Sequence, residues 1–328
     1  MQQVQFSEYG GAEVLQIVTV DKPQPQAGQV LIRVEAAGVN YSDILRRKNT
    51  YFMPTPLPFV LGTEAVGEIV AVGEGVVDPP FQVGNRVLAI LPQGGGYAEY
   101  ALAATQFCVP LPPTLDAAEA TAIFVQGSTA YLMLYEVVKD LANRSVLIHA
   151  AAGGVGSILV QLAKLAGAAT VIGTASTDEK CAVARSRGAD YTVNYTNSGW
   201  ADRVISANGG NKVDLILEMV GGEIYAQSFA CLATGGTMVV YGAASGQKGF
   251  MHSEHFVDEN QTVTGFNLAW FIQNRMAQWQ QALGAVIGLM AEGKLRIHVQ
   301  DSFPLQAVVD AHTRIENRQT TGKVVLKP

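Results

Sequence analysis

The run 145–156 reads Ser-Val-Leu-Ile-His-Ala-Ala-Ala-Gly-Gly-Val-Gly. Its first half, 146–149, is short and largely apolar, as a buried strand would be. It breaks into small residues and then into a helical pattern, Ile158-Leu159-Val160-x-Leu162-Ala163-x-Leu165-Ala166. Laid on the template Gly-x-Gly-x-x-Gly, positions 151–156 supply Ala151, Gly153 and Gly156, with alanine in place of the first glycine. Such a pattern alone is also an ordinary strand-to-helix turn. With a strand before it and a helix after it, it fits a tight turn whose backbone approaches a pyrophosphate and whose free amides favour an anion.

A second group follows where a carboxylate would hold the ribose 2′-hydroxyl of NAD. The next strand, 169–173, ends in Gly173-Thr174-Ala175-Ser176-Thr177-Asp178-Glu179-Lys180, with no acid directly at its end. Ser176 and Lys180 could donate to a 2′-phosphate, which an acid would repel. The expectation is therefore NADP(H) rather than NAD(H). Ser176-Thr177 also reads as the cap of a helix with acids in its first turn, and both roles are compatible.

Metal chemistry has little to draw on. Zinc needs three or four N, S or O ligands at one point. The only metal-like string is His252-x-x-His255 with Glu254, Asp258 and Glu259 nearby, in an expected loop of a kind that often collects polar residues. Cys108, Cys181 and Cys231 are scattered, without C-x-x-C spacing, and read as reduced packing residues.

The elements that must position these groups fall into two textures. The 328 residues are enough for two domains, and 48% hydrophobic content against 15% charged content supplies a sizeable core. A net charge of −6 argues against a nucleic-acid binder or a protein that clings to acidic membranes. Met1-Gln2-Gln3-Val4-Gln5-Phe6 carries no basic-then-apolar signal, and no apolar run could span a bilayer, so a cytoplasmic location is expected. Residues 1–110 read as short strands, such as Leu31–Ala36 and Val66–Val72, punctuated by Gly and Pro, which suggests a small barrel-like domain. Helices are expected over 116–120 and 129–138, separated by 124–128. From 145 onward strands near 145–149, 169–173, 191–195, 213–218, 236–241 and 262–266 alternate with helices near 155–166, 178–187, 200–207 and 222–232. This is the β-α-β order of a doubly wound parallel sheet. Beyond it the pattern predicts one long helix near 270–292, a strand at 297–299, a helix near 304–316 and a final strand, 323–327. These last segments are not needed for a six-stranded sheet and are expected to return to the first domain.

Several stretches recur together: Gly38-Val39-Asn40-Tyr41-Ser42-Asp43, Leu61-Gly62-Thr63-Glu64-Ala65-Val66-Gly67, Val83-Gly84-Asn85-Arg86-Val87, Gly96-Tyr97-Ala98-Glu99-Tyr100, Gln126-Gly127-Ser128-Thr129-Ala130-Tyr131 and the 150–156 loop. On these the chain resembles the quinone oxidoreductases of the medium-chain dehydrogenase/reductase superfamily, the group that includes zeta-crystallin. The resemblance covers essentially the whole length. It implies an α/β architecture: a GroES-like, mostly-β catalytic domain over 1–124, completed by 267–328, and a Rossmann domain over 125–266, with NADPH bound in a cleft. The zinc branches of that superfamily carry a Cys near the position of Asn40 and a His before the Glu of a Gly-His-Glu motif. Here Gly62-Thr63-Glu64 has threonine there, and no four-cysteine lobe exists. A zinc-free protein is expected.

Without a Lewis acid nothing lowers an alcohol's pKa, whereas hydride donation to an electron-poor acceptor remains feasible. The resemblance implies Asn40, Tyr41, Gln126 and Thr129 around the nicotinamide and its ribose, and Gly153, Gly154, Val155 and Gly156 on the pyrophosphate. It implies Gly173, Ser176, Lys180 and Tyr195 around the 2′-phosphate, and Gly242 and Ala243 beside the nicotinamide ribose. Phe266, Asn267 and Leu268 would cover the nicotinamide amide, and Lys323 is a further candidate cofactor contact. Tyr51, in a proline-rich loop, would hydrogen-bond a substrate carbonyl, or be an ordinary wall aromatic. Asn40 would also suit a simple turn. Arg46 and Arg47 read as a solvated helix face, and Glu64 as a buried ion-pair residue without a catalytic role.

The leading expectation is an NADPH:quinone reductase. Its alternative is an enone, alkenal or enoyl-thioester reductase on the same scaffold, and a non-catalytic NADPH-binding protein is a third reading. The acceptor would be a small quinone or α,β-unsaturated carbonyl, with no nucleic acid or membrane partner. The sixth strand, 262–266, would form an exposed sheet edge, and exposed apolar edges tend to be paired, so a homodimer is expected.

Overall fold

The computed structural model describes all 328 residues, Met1–Pro328. They divide into two compact units: Met1–Val125 with Ile287–Pro328, and Gln126–Val286.

In the first unit the long strand Gln29–Val39 is the axis. It pairs antiparallel with Glu64–Val72 on one side and with Lys323–Lys327 on the other. Tyr100–Ala104 also pairs with its first half. Arg86–Ile90 and Cys108–Pro110 extend the sheet, and Gln2–Phe6, Gln16–Thr19 and Phe59–Val60 form a small second sheet. Val30, Ile32, Ala65, Ile69, Val87, Ala89, Val324 and Leu326 meet in one core. The alternation of apolar residues along these strands puts one face of the sheet into that core. The C-terminal segment joins this unit through Lys323–Lys327, although 267–286 falls with the other unit rather than this one.

The second unit carries a six-stranded parallel sheet: β1 (Ser145–Ile148), β2 (Thr170–Ala175), β3 (Tyr191–Asn194), β4 (Val213–Glu218), β5 (Leu232–Val240) and β6 (Thr262–Gly265). Helices α1 (Gly154–Leu165), α2 (Asp178–Ser186), α3 (Trp200–Ala207) and α4 (Gly222–Cys231) link the first five strands. The order is β3-β2-β1-β4-β5-β6, and it reverses direction between β1 and β4. Every residue of β1 is buried, as expected of a parallel strand covered on both faces. No helix is long and apolar enough to cross a membrane.

Several local expectations change. The segment 124–128 is no separator: Ile123–Gly127 is a π-type turn that runs into the helix Ser128–Leu132, and a second π-type stretch, Met133–Val138, follows. Such wide turns are rare and have no sequence signature, though they are frequent at functional sites. The long helix is two, Leu268–Asn274 and Met276–Ala291, because Arg275 leaves the helical region at φ −140°, ψ 49°. No Pro or Gly marks that break. The strand placed at 297–299 is Val299–Pro304, and the following helix begins only at Val308 after a short 3₁₀ turn. His252-x-x-His255 lies on a short helix, Ser253–Asp258, rather than a loop, and the His255 ring packs edge-on to Phe229 at 5.2 Å.

Arg46 and Arg47 are buried, not solvated. Arg47 is fully buried; it donates to Gly10 O at 3.2 Å and pairs with Glu316 at 2.5 Å. A buried guanidinium is tolerated only when its donors are used, and a helix wheel shows no partner 269 residues away.

Candidate active site

The glycine-rich loop forms where β1 ends. Ala150 takes a positive φ of 49°, Gly153 N donates to Ala150 O at 2.8 Å, and Ala151 N donates to Thr174 O at 2.9 Å. That ties the loop to β2. A Cβ on Gly156 would lie 2.2 Å from Ala150 O, so only glycine lets α1 start this close to the turn. A Cβ on Gly173 would meet that of Ala151 at 2.8 Å, which explains glycine inside β2. The first-turn amides, at Gly154, Val155 and Gly156, have no intrahelical acceptor, and no side chain caps the helix. Gln126 packs against the same turn: a Cβ on Gly154 would lie 2.1 Å from its Nε2. Its Oε1 is buried without a hydrogen-bond partner. Thr129 is buried one helical turn later.

Ser176 is half-buried at the end of β2, and Thr177 Oγ1 accepts from Lys180 N at 3.2 Å, which starts α2 and fixes the base of the Lys180 side chain. Tyr195 N donates to Ala175 O at 3.0 Å, so Tyr195 stands beside Ser176 at the ends of neighbouring strands. Across the point where the strand order reverses, the loop after β5 is stitched to the end of β4. Tyr241 N donates to Glu218 O, Ala244 N to Met219 O and Ser245 N to Val220 O, each at 2.8–2.9 Å. Gly242 and Ala243 are thereby fixed. Glu218 Oε1 accepts from the amides of Val220 and Gly221. Its Oε2 and the Tyr241 hydroxyl are buried without partners. Burial holds the Glu218 carboxyl above the ordinary range and pushes the Tyr241 hydroxyl well up. Phe266 continues from β6 and stacks on Phe271 at 5.2 Å, and Asn267 Oδ1 caps the helix starting at Leu268 by accepting from Trp270 N.

At the end of β1, just before the glycine-rich loop, lies a buried polar chain the sequence reading missed. His149 Nδ1 is 2.7 Å from Thr174 Oγ1 and Nε2 is 2.9 Å from Ser228 Oγ. Ser228 donates its one hydroxyl proton to Ile224 O, so Nε2 must carry hydrogen and Nδ1 must accept from Thr174. Burial lowers the pKa of this neutral imidazole to about 3.

In the first unit the strand Gln29–Val39 delivers Asn40 to the start of the helix Tyr41–Arg47. Asn40 N donates to Asp43 Oδ2 at 2.9 Å, Tyr97 donates to the same oxygen at 3.0 Å, and Asp43 Oδ1 is left without a partner. Burial, with Glu64 adding to it, raises Asp43 to about 6. The Asn40 side chain donates from Nδ2 to Glu64 Oε1 at 2.7 Å and accepts from Lys323 Nζ at 3.0 Å. Lys323 also forms an ion pair with Glu64, and both side chains are fully buried. Lys323 therefore keeps its ammonium inside this unit. Tyr41 is half-buried, and Tyr51 lies against the Arg46 guanidinium at 4.6 Å and the Phe52 ring at 4.4 Å. Burial raises the Tyr51 hydroxyl, opposed by Arg46.

Residues 26–113 match the alcohol dehydrogenase GroES-like domain, and 154–286 match the zinc-binding dehydrogenase family. A quinone oxidoreductase of Pseudomonas aeruginosa is 33% identical over 99% of either chain. The chain belongs to the quinone oxidoreductases of the medium-chain dehydrogenase/reductase superfamily. The Escherichia coli quinone oxidoreductase complexed with NADPH superposes with a TM-score of 0.91 at 31% identity, covering both chains fully. A 2-haloacrylate reductase of a Burkholderia species is 34% identical over 95% of this chain and 93% of its own. Like other members of that superfamily, the chain combines a GroES-like domain with a Rossmann domain. It departs from a zinc-dehydrogenase corner in its donors: Asn40 and Glu64 stand beside the Lys323 ammonium, Thr63 takes the place before Glu64, and no group of three or more His, Cys, Asp or Glu side chains is gathered at one point. This donor set does not fit zinc.

Proposed function

We propose that the protein reduces quinones with NADPH, without zinc. The observation that supports the reading is the pairing of a glycine-rich turn, whose helix carries no side-chain cap and whose first-turn amides have no intrahelical acceptor, with a β2 end that offers Ser176 and Lys180 rather than an acid directly at its end. Gly153, Gly154, Val155 and Gly156 would hold the pyrophosphate, and Gly173, Ser176, Lys180 and Tyr195 the 2′-phosphate end. Gln126, Thr129, Gly242, Ala243, Phe266, Asn267 and Leu268 would surround the nicotinamide half. NADPH, when bound, supplies a hydride to the acceptor, and one proton from solvent or a side chain completes the hydroquinone. The protein's own work is to bind, orient and exclude water. Asn40 would hydrogen-bond the reacting end, with Tyr41 and Tyr51 as walls or donors.

A metal-free route is supported by the chemistry of the corner: an ammonium beside Asn40 already supplies positive charge where the zinc branches carry a metal ligand. An enone, alkenal or enoyl-thioester acceptor is the second reading. It is favoured by likeness to the 2-haloacrylate reductase, a protein named for an α,β-unsaturated acid. A cytoplasmic homodimer, with no nucleic-acid or membrane partner, is part of the same proposal.

The test is oxidation of NADPH and of NADH, run side by side with a small quinone and a small enone, with and without a chelator. Preference for NADPH and for the quinone, unaffected by the chelator, is the expected result. Preference for the enone moves the acceptor to the second class, and loss of turnover with the chelator overturns the metal-free route. Tight NADPH binding with no turnover on either acceptor leaves a non-catalytic binder.

A further inference from the structure

Asn40 owes its position to three strand ends that meet at one point. It follows Val39, the last residue of Gln29–Val39. Glu64 opens the strand that pairs on one side of this strand, in a register that sets Ala37 opposite Ala65. Lys323 opens the strand that pairs on the other side, with Gly38 opposite Val325. Glu64 and Lys323 thus converge from both flanks onto the end of the central strand. Gly38 is what lets them meet: a Cβ there would lie 2.2 Å from Glu64 Oε1 and 2.7 Å from Lys323 Nζ.

Lys323 can only donate and the Glu64 carboxylate can only accept. Exchanging the O and N of the Asn40 amide would set donor against donor and acceptor against acceptor, so its orientation is dictated by the pair. Its oxygen faces the ammonium and one N–H faces the carboxylate. The second N–H of Nδ2 remains available to an incoming acceptor. A cation hydrogen-bonded to the carbonyl oxygen draws electron density from the amide and strengthens that remaining donor. Glu64 Oε2 meanwhile accepts from Val125 N at 3.2 Å, which anchors the residue immediately before Gln126. A fully buried ion pair is weak as a source of stability, so its retention here calls for another use.

We infer that the Glu64–Lys323 pair is a positioning device that orients and polarises the Asn40 amide as a hydrogen-bond donor to the oxygen of the electron-poor acceptor. Lys323 acts through Asn40 and does not touch the cofactor. The inference rests on the reading of Asn40 as a residue of the reacting site.

The experiment compares wild type, the charge-neutral double variant Glu64→Gln/Lys323→Met, Asn40→Ala in each of these two backgrounds, and Lys323→Arg. The double variant is used because removing Lys323 alone would strand a buried carboxylate and endanger folding. Each is read by NADPH fluorescence titration and by steady-state kinetics with 1,4-benzoquinone. The double variant should lower kcat at least tenfold with the NADPH Kd unchanged within about threefold. Asn40→Ala should then add little in that background, and Lys323→Arg should recover part of the rate. A double variant that keeps kcat within twofold of wild type overturns the inference, as does one whose main defect is a tenfold weaker NADPH Kd. If Asn40→Ala in the wild-type background leaves kcat unchanged, the site reading of Asn40 itself falls.

Discussion

Acid should destabilise the second unit through His149, and the effect can be worked out from its surroundings. The imidazole is fully buried, holds its proton on Nε2 and has its pKa lowered to about 3 by burial. In the unfolded chain it would titrate near about 6.5. Between these values the unfolded state binds a proton that the folded state refuses. Stability from this group is therefore complete above about pH 6.5 and is lost as pH falls toward 3. Each pH unit inside the window costs about 1.4 kcal/mol, so moving from pH 7 to pH 5 should cost about 2 kcal/mol. His312 carries a similar shift and Asp43 an opposite one, but both lie in the first unit. The three tryptophans, Trp200, Trp270 and Trp279, all lie in the second unit, so their fluorescence reports on that unit. Trp200 reports most directly, since its ring stands edge-on to His149 at 5.4 Å. Urea unfolding followed by tryptophan emission at pH 7 and pH 5 should show a loss about 2 kcal/mol larger in wild type than in His149→Gln. Gln keeps one donor and one acceptor but does not titrate. Equal pH dependence in the two proteins would refute the reasoning.

Gly154→Ala tests the loop, because the added Cβ would lie 2.1 Å from Gln126 Nε2 and force that side chain to move, while alanine is otherwise welcome in a helix. NADPH Kd should rise about tenfold or more, with the melting temperature little changed; a Kd within twofold of wild type would separate Gln126 and this turn from the cofactor. β6 should pair with its counterpart in a second copy, since it forms the sheet edge and Val263 on it is 36% exposed. Light scattering at micromolar protein should give twice 34.8 kDa, and a monomer would remove the homodimer.

What the sequence determined by itself is local. The runs 145–148, 170–175 and 213–218 are almost wholly buried and rich in Val, Leu and Ile, as strands inside a parallel sheet are, and an element's burial is written in its own residues. The loop from Ala150 to Gly156 could be read for the same reason: its demand for small residues comes from contacts within a few positions, such as Gly156 with Ala150. The tertiary structure alone decided what depends on distant partners. Arg46 and Arg47 resemble a solvated face until Glu316 is brought to Arg47. Lys323 shows no partner in its own stretch of sequence, and strand pairing sets it beside Glu64 and Asn40, 259 and 283 residues away. The break at Arg275 and the wide turn at 123–127 likewise have no residue that announces them. Periodicity records which face of an element is buried, but a buried charge is settled by its counter-charge, and only the fold determines which one that is.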